Sequence, residues 1–171
     1  MQDRMAPELL RRIERSYLEF PELAGRRVLV GITKNRRLQG YAAGEDFCIR
    51  LYVSRKSIPS FHIIGHELTH LLQKPGLGIV PNGEVQCDIW TLARSPLFLD
   101  QMPTYLRLHS CTQESWKQHA RRIRELCIQA IEVRRTNRKY IVWLKEMLRQ
   151  YFRNCTHWCR LAIEPRGRVR L

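Results

Sequence analysis

The sequence lacks the long apolar segment that a membrane-spanning helix needs, since no apolar run approaches the roughly 20 residues required. Residues 1–12 contain no apolar stretch of the kind that secretory signal peptides carry, so we expect a chain that is not exported. The six cysteines stand at irregular spacings and form no CxxC…CxxC pair, which argues against a ribbon-type zinc site. These absences predict a cytoplasmic protein whose thiols are reduced.

Acidic residues are also scarce relative to basic ones. Thirty Lys and Arg face sixteen Asp and Glu, which gives a net charge of +14. Residues 101–171 hold sixteen of the basic and five of the acidic residues, so most of the excess lies there. Such a surface attracts nucleic acid, anionic membranes or acidic proteins. Because Trp116, Tyr140 and Trp143 lie near two Arg-rich clusters and could stack on bases, nucleic acid is a candidate partner of the C-terminal helices.

The spacing of apolar residues predicts both helices and strands. Helices are expected over residues 7–18, 61–73, 84–94, 112–135 and 140–152, and strands over residues 28–33, 38–42 and 47–53. We therefore predict an α+β protein in which a small, mostly antiparallel sheet packs on the helix at residues 61–73. Residues 1–100 would form this core, and residues 101–171 would form a basic helical section packed on it in one compact domain.

The chemistry of the sequence centres on an HExxH motif, His66-Glu67-Leu68-Thr69-His70. Residues four apart share one face of a helix, so His66 and His70 can reach a single metal ion. Zinc accepts neutral imidazole nitrogen, which makes Zn²⁺ the expected cofactor. Glu67 is placed to contact a metal-bound water molecule and accept its proton.

A tetrahedral zinc site needs a third protein ligand besides the two histidines and a water molecule. Position 76, where a third histidine would complete the longer HExxHxxGxxH motif, is Gly76. The next candidates are Glu84, Cys87 and Asp88, which lie in the first turns of the following predicted helix. Glu84 is the favoured ligand, Asp88 would accept the free ring N–H of a ligand histidine, and Asp88 or Cys87 remain alternative ligands.

The sequence HELTH followed by GEVQCD resembles the zincin metallopeptidases, specifically their Glu-zincin branch. This resemblance covers residues 28–94. It implies that His66, His70 and Glu84 bind zinc, that Glu67 is the general base, and that Asp88 supports a ligand histidine. It also implies a minimal zincin fold and hydrolysis of peptide bonds in a peptide or protein substrate.

Two further expectations concern the substrate. Zincins commonly bind substrate along the edge strand above the active-site helix. The resemblance therefore makes the strand at residues 47–53, which precedes the HExxH helix, a candidate edge strand to which an extended peptide could add. An oxyanion-stabilising group is also expected, and the sequence leaves five candidates: Tyr41, Tyr52, Tyr105, His109 and His119. The alternative function is a basic module that binds nucleic acid or protein and whose zinc site is structural or vestigial.

Overall fold

The computed structural model of the protein describes residues 2–34, 40–54 and 57–163. These residues form the helices α1 (Gln2–Leu18), α2 (Phe61–His70), α3 (Glu84–Arg94), α4 (Trp116–Val133) and α5 (Tyr140–Ile163). They also form the strands β1 (Leu29–Thr33), β2 (Gly40–Ala43) and β3 (Cys48–Tyr52). The predicted α+β class with a helical C-terminal section is confirmed.

The three strands form one mixed sheet in the order β1-β3-β2. β2 runs antiparallel to β3, whereas β1 runs parallel to it. The expected antiparallel pairing therefore holds for one of the two strand pairs. Parallel neighbours cannot be joined by a tight hairpin, and here the chain forms β2 on its way from β1 to β3. The prediction that residues 47–53 form an edge strand is wrong, because β3 lies between the other two strands.

The apolar alternation of β3 explains its central position. Ile49 and Leu51 are fully buried and belong to one hydrophobic cluster with Ile64 and Leu68 of α2. The apolar side chains of a strand are buried completely when neighbouring strands flank it on both sides and a helix packs on its face. The pattern that made this strand easy to recognise in the sequence is thus the pattern of a strand in the middle of the sheet.

The first turn of α2 is fixed by two capping side chains. Ser60 accepts a hydrogen bond from the backbone N–H of Ile63, 3.1 Å away. Asp100 accepts hydrogen bonds from the backbone N–H groups of Phe61 and His62 at 2.8 and 2.9 Å. Both caps satisfy amides that a helix leaves without intrahelical partners. The helix that carries the HExxH motif therefore begins at a defined residue.

The described residues fall into two compact units, Met1–Ile128 and Gln129–Leu171. The HExxH helix and the sheet belong to the first unit. Five cysteines are free thiols, in agreement with the reduced state expected from the sequence: Cys48, Cys87, Cys111, Cys127 and Cys155. A search of the described helices finds none with the length and hydropathy to cross a bilayer.

Candidate metal centre

Three side-chain atoms converge at one end of α2. The Nε2 atoms of His66 and His70 lie 3.0 and 3.2 Å from the same oxygen, Oε2 of Glu84. Glu84 is the first residue of α3, so the short segment between the two helices brings it back over the histidines. Ligands that lie 2.0–2.1 Å from a tetrahedral zinc ion are about 3.3–3.4 Å from one another. The two Nε2–Oε2 distances are therefore close to the distance between zinc ligands.

Asp88 sets the tautomer of His66. Its Oδ1 lies 2.8 Å from Nδ1 of His66, where it favours a proton on Nδ1 and so, in the neutral ring, a lone pair on Nε2. Its Oδ2 accepts hydrogen bonds from the backbone N–H groups of Tyr105 and Leu106 at 2.6 and 2.7 Å. Burial by itself lowers the pKa of His66, but the hydrogen bond and charge of Asp88 raise it overall. Asp88 thus joins the imidazole to the chain segment at residues 105–106.

Gln73 sets the tautomer of His70 in the same way. Its Oε1 lies 2.9 Å from Nδ1 of His70. Its amide nitrogen donates to the carbonyl oxygens of Pro81 and Gly83 at 2.6 and 3.1 Å. Gln73 therefore orients one histidine and also holds the loop that ends at Glu84. Sequence reasoning missed this residue. Its position three residues after His70 is the only signal in the sequence that the two side chains could meet.

Glu67 is buried beside β2. A Cβ atom on Gly40 would lie 2.5 Å from both Cγ and Cδ of Glu67, so any side chain at this position would displace the Glu67 side chain. Burial raises the pKa of Glu67 to about 7, and the nearby Glu84 carboxylate adds to that effect. A carboxylate with this pKa can take up and release a proton near neutral pH.

These groups line a cavity of about 370 Å³. Its lining residues come from β2, α2, α3 and the segment after α3: Gly40, Tyr41, Ala42, His62, Ile63, His66, Glu67, His70, Glu84, Asp88, Thr104 and Tyr105. The five residues to which the resemblance gives a role are all among them: His66, Glu67, His70, Glu84 and Asp88. A concave site with a few convergent polar groups is the usual form of a ligand pocket.

Cys87, an alternative ligand, occupies a different position. Its Sγ lies 3.3 Å from Nδ1 of His70, the nitrogen that already faces Gln73. His66, His70 and Cys87 do offer donor atoms within 4.8 Å of one another, as do His62, His66 and Asp88. Burial and nearby carboxylates raise the pKa of the Cys87 thiol far above its usual range, which disfavours the thiolate. The geometry favours Glu84 over Cys87 as the third donor.

His62 lies behind the site. Its Nδ1 is 3.3 Å from the carbonyl oxygen of Phe98, and its Nε2 is 3.4 Å from Oδ1 of Asp88. The side chain is buried. Its ring faces Asp88 and does not join the point where the Nε2 atoms of His66 and His70 meet Glu84.

Tyr105 is the best placed of the five candidate oxyanion stabilisers. Its ring stacks on that of His66, with a centroid distance of 5.5 Å and an interplanar angle of 23°. Tyr41 also lines the cavity, but it alternates along β2 with Gly40 and Ala42, so its side chain is directed to the other face of the sheet. The remaining candidates do not line the cavity: Tyr52, His109 and His119.

The basic clusters of the C-terminal helices present cations but few aromatic rings. Arg134, Arg135, Arg138 and Lys139 are all exposed. Trp116 is buried and donates its indole N–H to the carbonyl oxygen of Leu99 at 2.8 Å, and Tyr140 is also buried. The prediction that these two rings are available to stack on bases is therefore wrong. A buried ring on the core-facing side of an amphipathic helix has the same sequence spacing as one on its surface.

Comparison with known proteins identifies no relative: none of the protein-family profiles, curated proteins or solved structures compared with the chain matches it. The function must accordingly be inferred from the chemistry of the chain's own residues.

Proposed function

We propose that the protein is a zinc-dependent metallopeptidase of the Glu-zincin kind. The observation that carries this proposal is the convergence of the two Nε2 atoms of His66 and His70 on Oε2 of Glu84. Each histidine has its other ring nitrogen engaged by a separate acceptor, Asp88 or Gln73. Metal-ligating histidines are held in this way, with the distal nitrogen hydrogen-bonded and the proximal one free.

Glu67 supplies the proton chemistry. When bound by the three ligands, zinc acidifies water and polarises a carbonyl group. Glu67 lines the same cavity, where it accepts one proton from the attacking water and passes it to the nitrogen of the scissile amide. The water oxygen bonds to the carbonyl carbon as the C–N bond breaks, which leaves a carboxylic acid and an amine. Tyr105, whose ring stacks on that of His66, is our proposed donor of a hydrogen bond to the developing negative charge.

The edge of β2 is the proposed substrate platform. β2 pairs with β3 on one side, and no other strand among the described residues pairs with it. Gly40 and Ala42 line the cavity next to Glu67, so a peptide that extended the sheet here would pass over the candidate metal centre. Backbone hydrogen bonds to such an edge bind a peptide largely independently of its side chains. This role replaces the one predicted for the strand at residues 47–53.

The first experiment measures zinc in the purified protein by plasma mass spectrometry. We expect about one zinc ion per chain, as four-coordinate sites with three protein ligands hold. His70→Ala and Glu84→Ala should lose it, and His109→Ala should keep it, since His109 is exposed and outside the cavity. A wild-type protein that takes up no zinc even when zinc is supplied would refute the proposal.

The second experiment tests the reaction. The wild-type protein and Glu67→Gln are incubated with a diverse peptide mixture, and new termini are identified by mass spectrometry. We expect zinc-dependent cleavage by the wild-type protein and none by Glu67→Gln, which should retain its zinc. If Glu67→Gln cleaved at the wild-type rate, Glu67 would not be the base. If zinc were bound but chelation left the cleavage unchanged, the metal would be structural.

A further inference from the structure

The outer edge of β1 lies on the far side of the sheet from β2 and the candidate metal centre. Only β3 pairs with β1 among the described residues. The N–H of Leu29 donates to the carbonyl of Phe47 at 2.9 Å, and Leu29 is in register with Cys48. In a parallel ladder every second residue bonds to the neighbouring strand, so the N–H and C=O groups of Val30 and Ile32 point away from β3. The edge therefore offers backbone groups for another strand.

The core-facing side of this edge is apolar and uncovered. Val30 and Ile32 are in register with Ile49 and Leu51, which are fully buried. Yet Val30 is 41% exposed and Ile32 is 67% exposed. The apolar face of the sheet is thus buried at β3 but exposed to solvent at β1. Edge strands with exposed apolar side chains are templates for pairing with another chain, and proteins usually protect them.

Basic residues flank β1. Arg26 and Arg27 precede the strand and Lys34 follows it, and all three are exposed. Glu45 and Asp46, in the turn before β3, lie at the end of Arg26 and Arg27, whereas Lys34 at the other end has no acid beside it in the sequence. A second copy of this chain also carries a net charge of +14, so the two copies would repel each other as a whole. An extended segment with acidic residues would instead be attracted.

The outward face of the edge also carries a cation. Gly31 lies between Val30 and Ile32, with its Cα on the opposite face of the sheet. Arg50, its register partner on β3, is exposed and has its Cγ 3.5 Å from the position that a Cβ on Gly31 would take. Since Gly31 has no side chain, Arg50 is accessible from the edge. A partner strand would meet Val30 and Ile32 on one face, and Leu29, which is 46% exposed, together with the Arg50 guanidinium on the other.

We propose that the free edge of β1 binds an extended polypeptide segment in which apolar and acidic residues alternate. Its apolar side chains cover Val30 and Ile32, its carboxylates face Arg50 and the basic residues that flank β1, and its backbone extends the sheet. Nucleic acid would satisfy the cations but not the apolar side chains or the backbone groups. The edge is a docking site that works independently of the metal centre.

The test uses the fluorescein-labelled peptide acetyl-Glu-Glu-Val-Glu-Val-Glu-Val-Glu-Glu-amide and the full chain, with binding followed by fluorescence anisotropy. A peptide in which lysine replaces every glutamate serves as the charge control. We expect the acidic peptide to bind and the lysine peptide not to bind. Ile32→Lys should weaken binding at least about tenfold. Leu18→Lys, at an exposed apolar position that is 81% exposed on α1, should leave it unchanged.

A second variant guards against a folding defect in the first. Ile32→Pro removes the N–H that points away from β3, which an edge strand tolerates, and should weaken binding by a similar factor. Thermal unfolding and zinc content should match the wild-type protein in each variant. Equal affinity of Ile32→Lys and wild type for the acidic peptide, or no binding of that peptide, would overturn the proposal. A wild-type dimer in sedimentation that Ile32→Lys dissociates would assign the edge to a second copy instead.

Discussion

Replacing Asp88 with asparagine should separate the folding role of this residue from its metal-binding role. The amide is nearly isosteric with the carboxylate, and its oxygen can remain on the backbone N–H groups of Tyr105 and Leu106, where Oδ2 lies now. Its NH₂ group then faces Nδ1 of His66, which must become an acceptor. The ring proton moves to Nε2, the nitrogen that should bind zinc. Asp88→Asn is thus expected to present His66 in the wrong tautomer.

The expected magnitudes follow from the bonds that each variant keeps. Asp88→Asn keeps the hydrogen bonds but loses their charge assistance, so the zinc-free protein should lose about 1–2 kcal/mol of unfolding free energy. Loss of the partner that orients a ligand histidine costs about 10–100-fold in metal affinity. Asp88→Ala instead leaves two buried backbone N–H groups unpaired, at about 1–3 kcal/mol each, and should be destabilised by about 2–6 kcal/mol.

Zinc affinity is measured by competition with a chromophoric chelator, and stability by urea unfolding of the zinc-free proteins. We expect Asp88→Asn to lose only about 1–2 kcal/mol of unfolding free energy, less than Asp88→Ala. Its zinc affinity should nevertheless fall about 10–100-fold. The reasoning would be refuted by an Asp88→Asn protein that binds zinc as tightly as wild type. It would also be refuted if the asparagine and alanine variants were equally destabilised, because the backbone hydrogen bonds would then carry no energy.

Two other predictions use single substitutions elsewhere. Gly40→Ala should displace the Glu67 carboxylate by about 1 Å and slow hydrolysis about 100-fold while zinc content is unchanged, measured by cleavage rate and plasma mass spectrometry. Glu22→Gln should cost about 1 kcal/mol at pH 7, because the negative charge and one of the two hydrogen bonds of 2.8 and 2.9 Å from Arg94 are lost. Burial alone raises the pKa of Glu22 but Arg94 lowers it overall, so this stability is present above the unfolded pKa and disappears as pH falls through the folded one.

Matched variants control both predictions. Gly31→Ala makes the same change in the same sheet, but its Cβ would meet only Cγ of Arg50 at an ordinary 3.5 Å, so hydrolysis should be normal. Glu132→Gln removes an exposed ion pair with Arg135 and should leave urea unfolding unchanged. A slow Gly31→Ala enzyme would show that the loss at Gly40 is not a contact with Glu67. A wild-type-minus-Glu22→Gln difference that did not shrink as the pH was lowered would exclude the ion pair as its source.

The sequence was sufficient for features set by local spacing. Residues four apart on one helix share a face, so the sequence alone predicts that the side chains of His66 and His70 lie side by side. The helix predicted at residues 84–94 has those bounds in the structure, because a glycine turn precedes it and Ser95-Pro96 follows it. The alternation in β3 likewise predicted a strand and its buried face.

Features set by contacts between distant segments could not be predicted. Alternation identifies the buried face of a strand but not its neighbours, so the central place of β3 was missed. Gln73 reaches Pro81 and Gly83 through a loop whose path the sequence does not specify. The stacking of Tyr105 on His66 depends on a segment that joins two helices and has no periodic pattern of its own.

The hydrogen bonds from residues 105–106 to Asp88 have a consequence for how the site is assembled. During synthesis both histidines and Glu84 are in the chain well before Tyr105 is added, but the carboxylate that orients His66 lacks its two amide partners until then. A nascent or truncated chain ending before Tyr105 would therefore contain all three proposed ligands but lack the two backbone hydrogen bonds that hold Asp88 beside His66. Completion of the candidate metal centre is in this way tied to chain growth beyond α3.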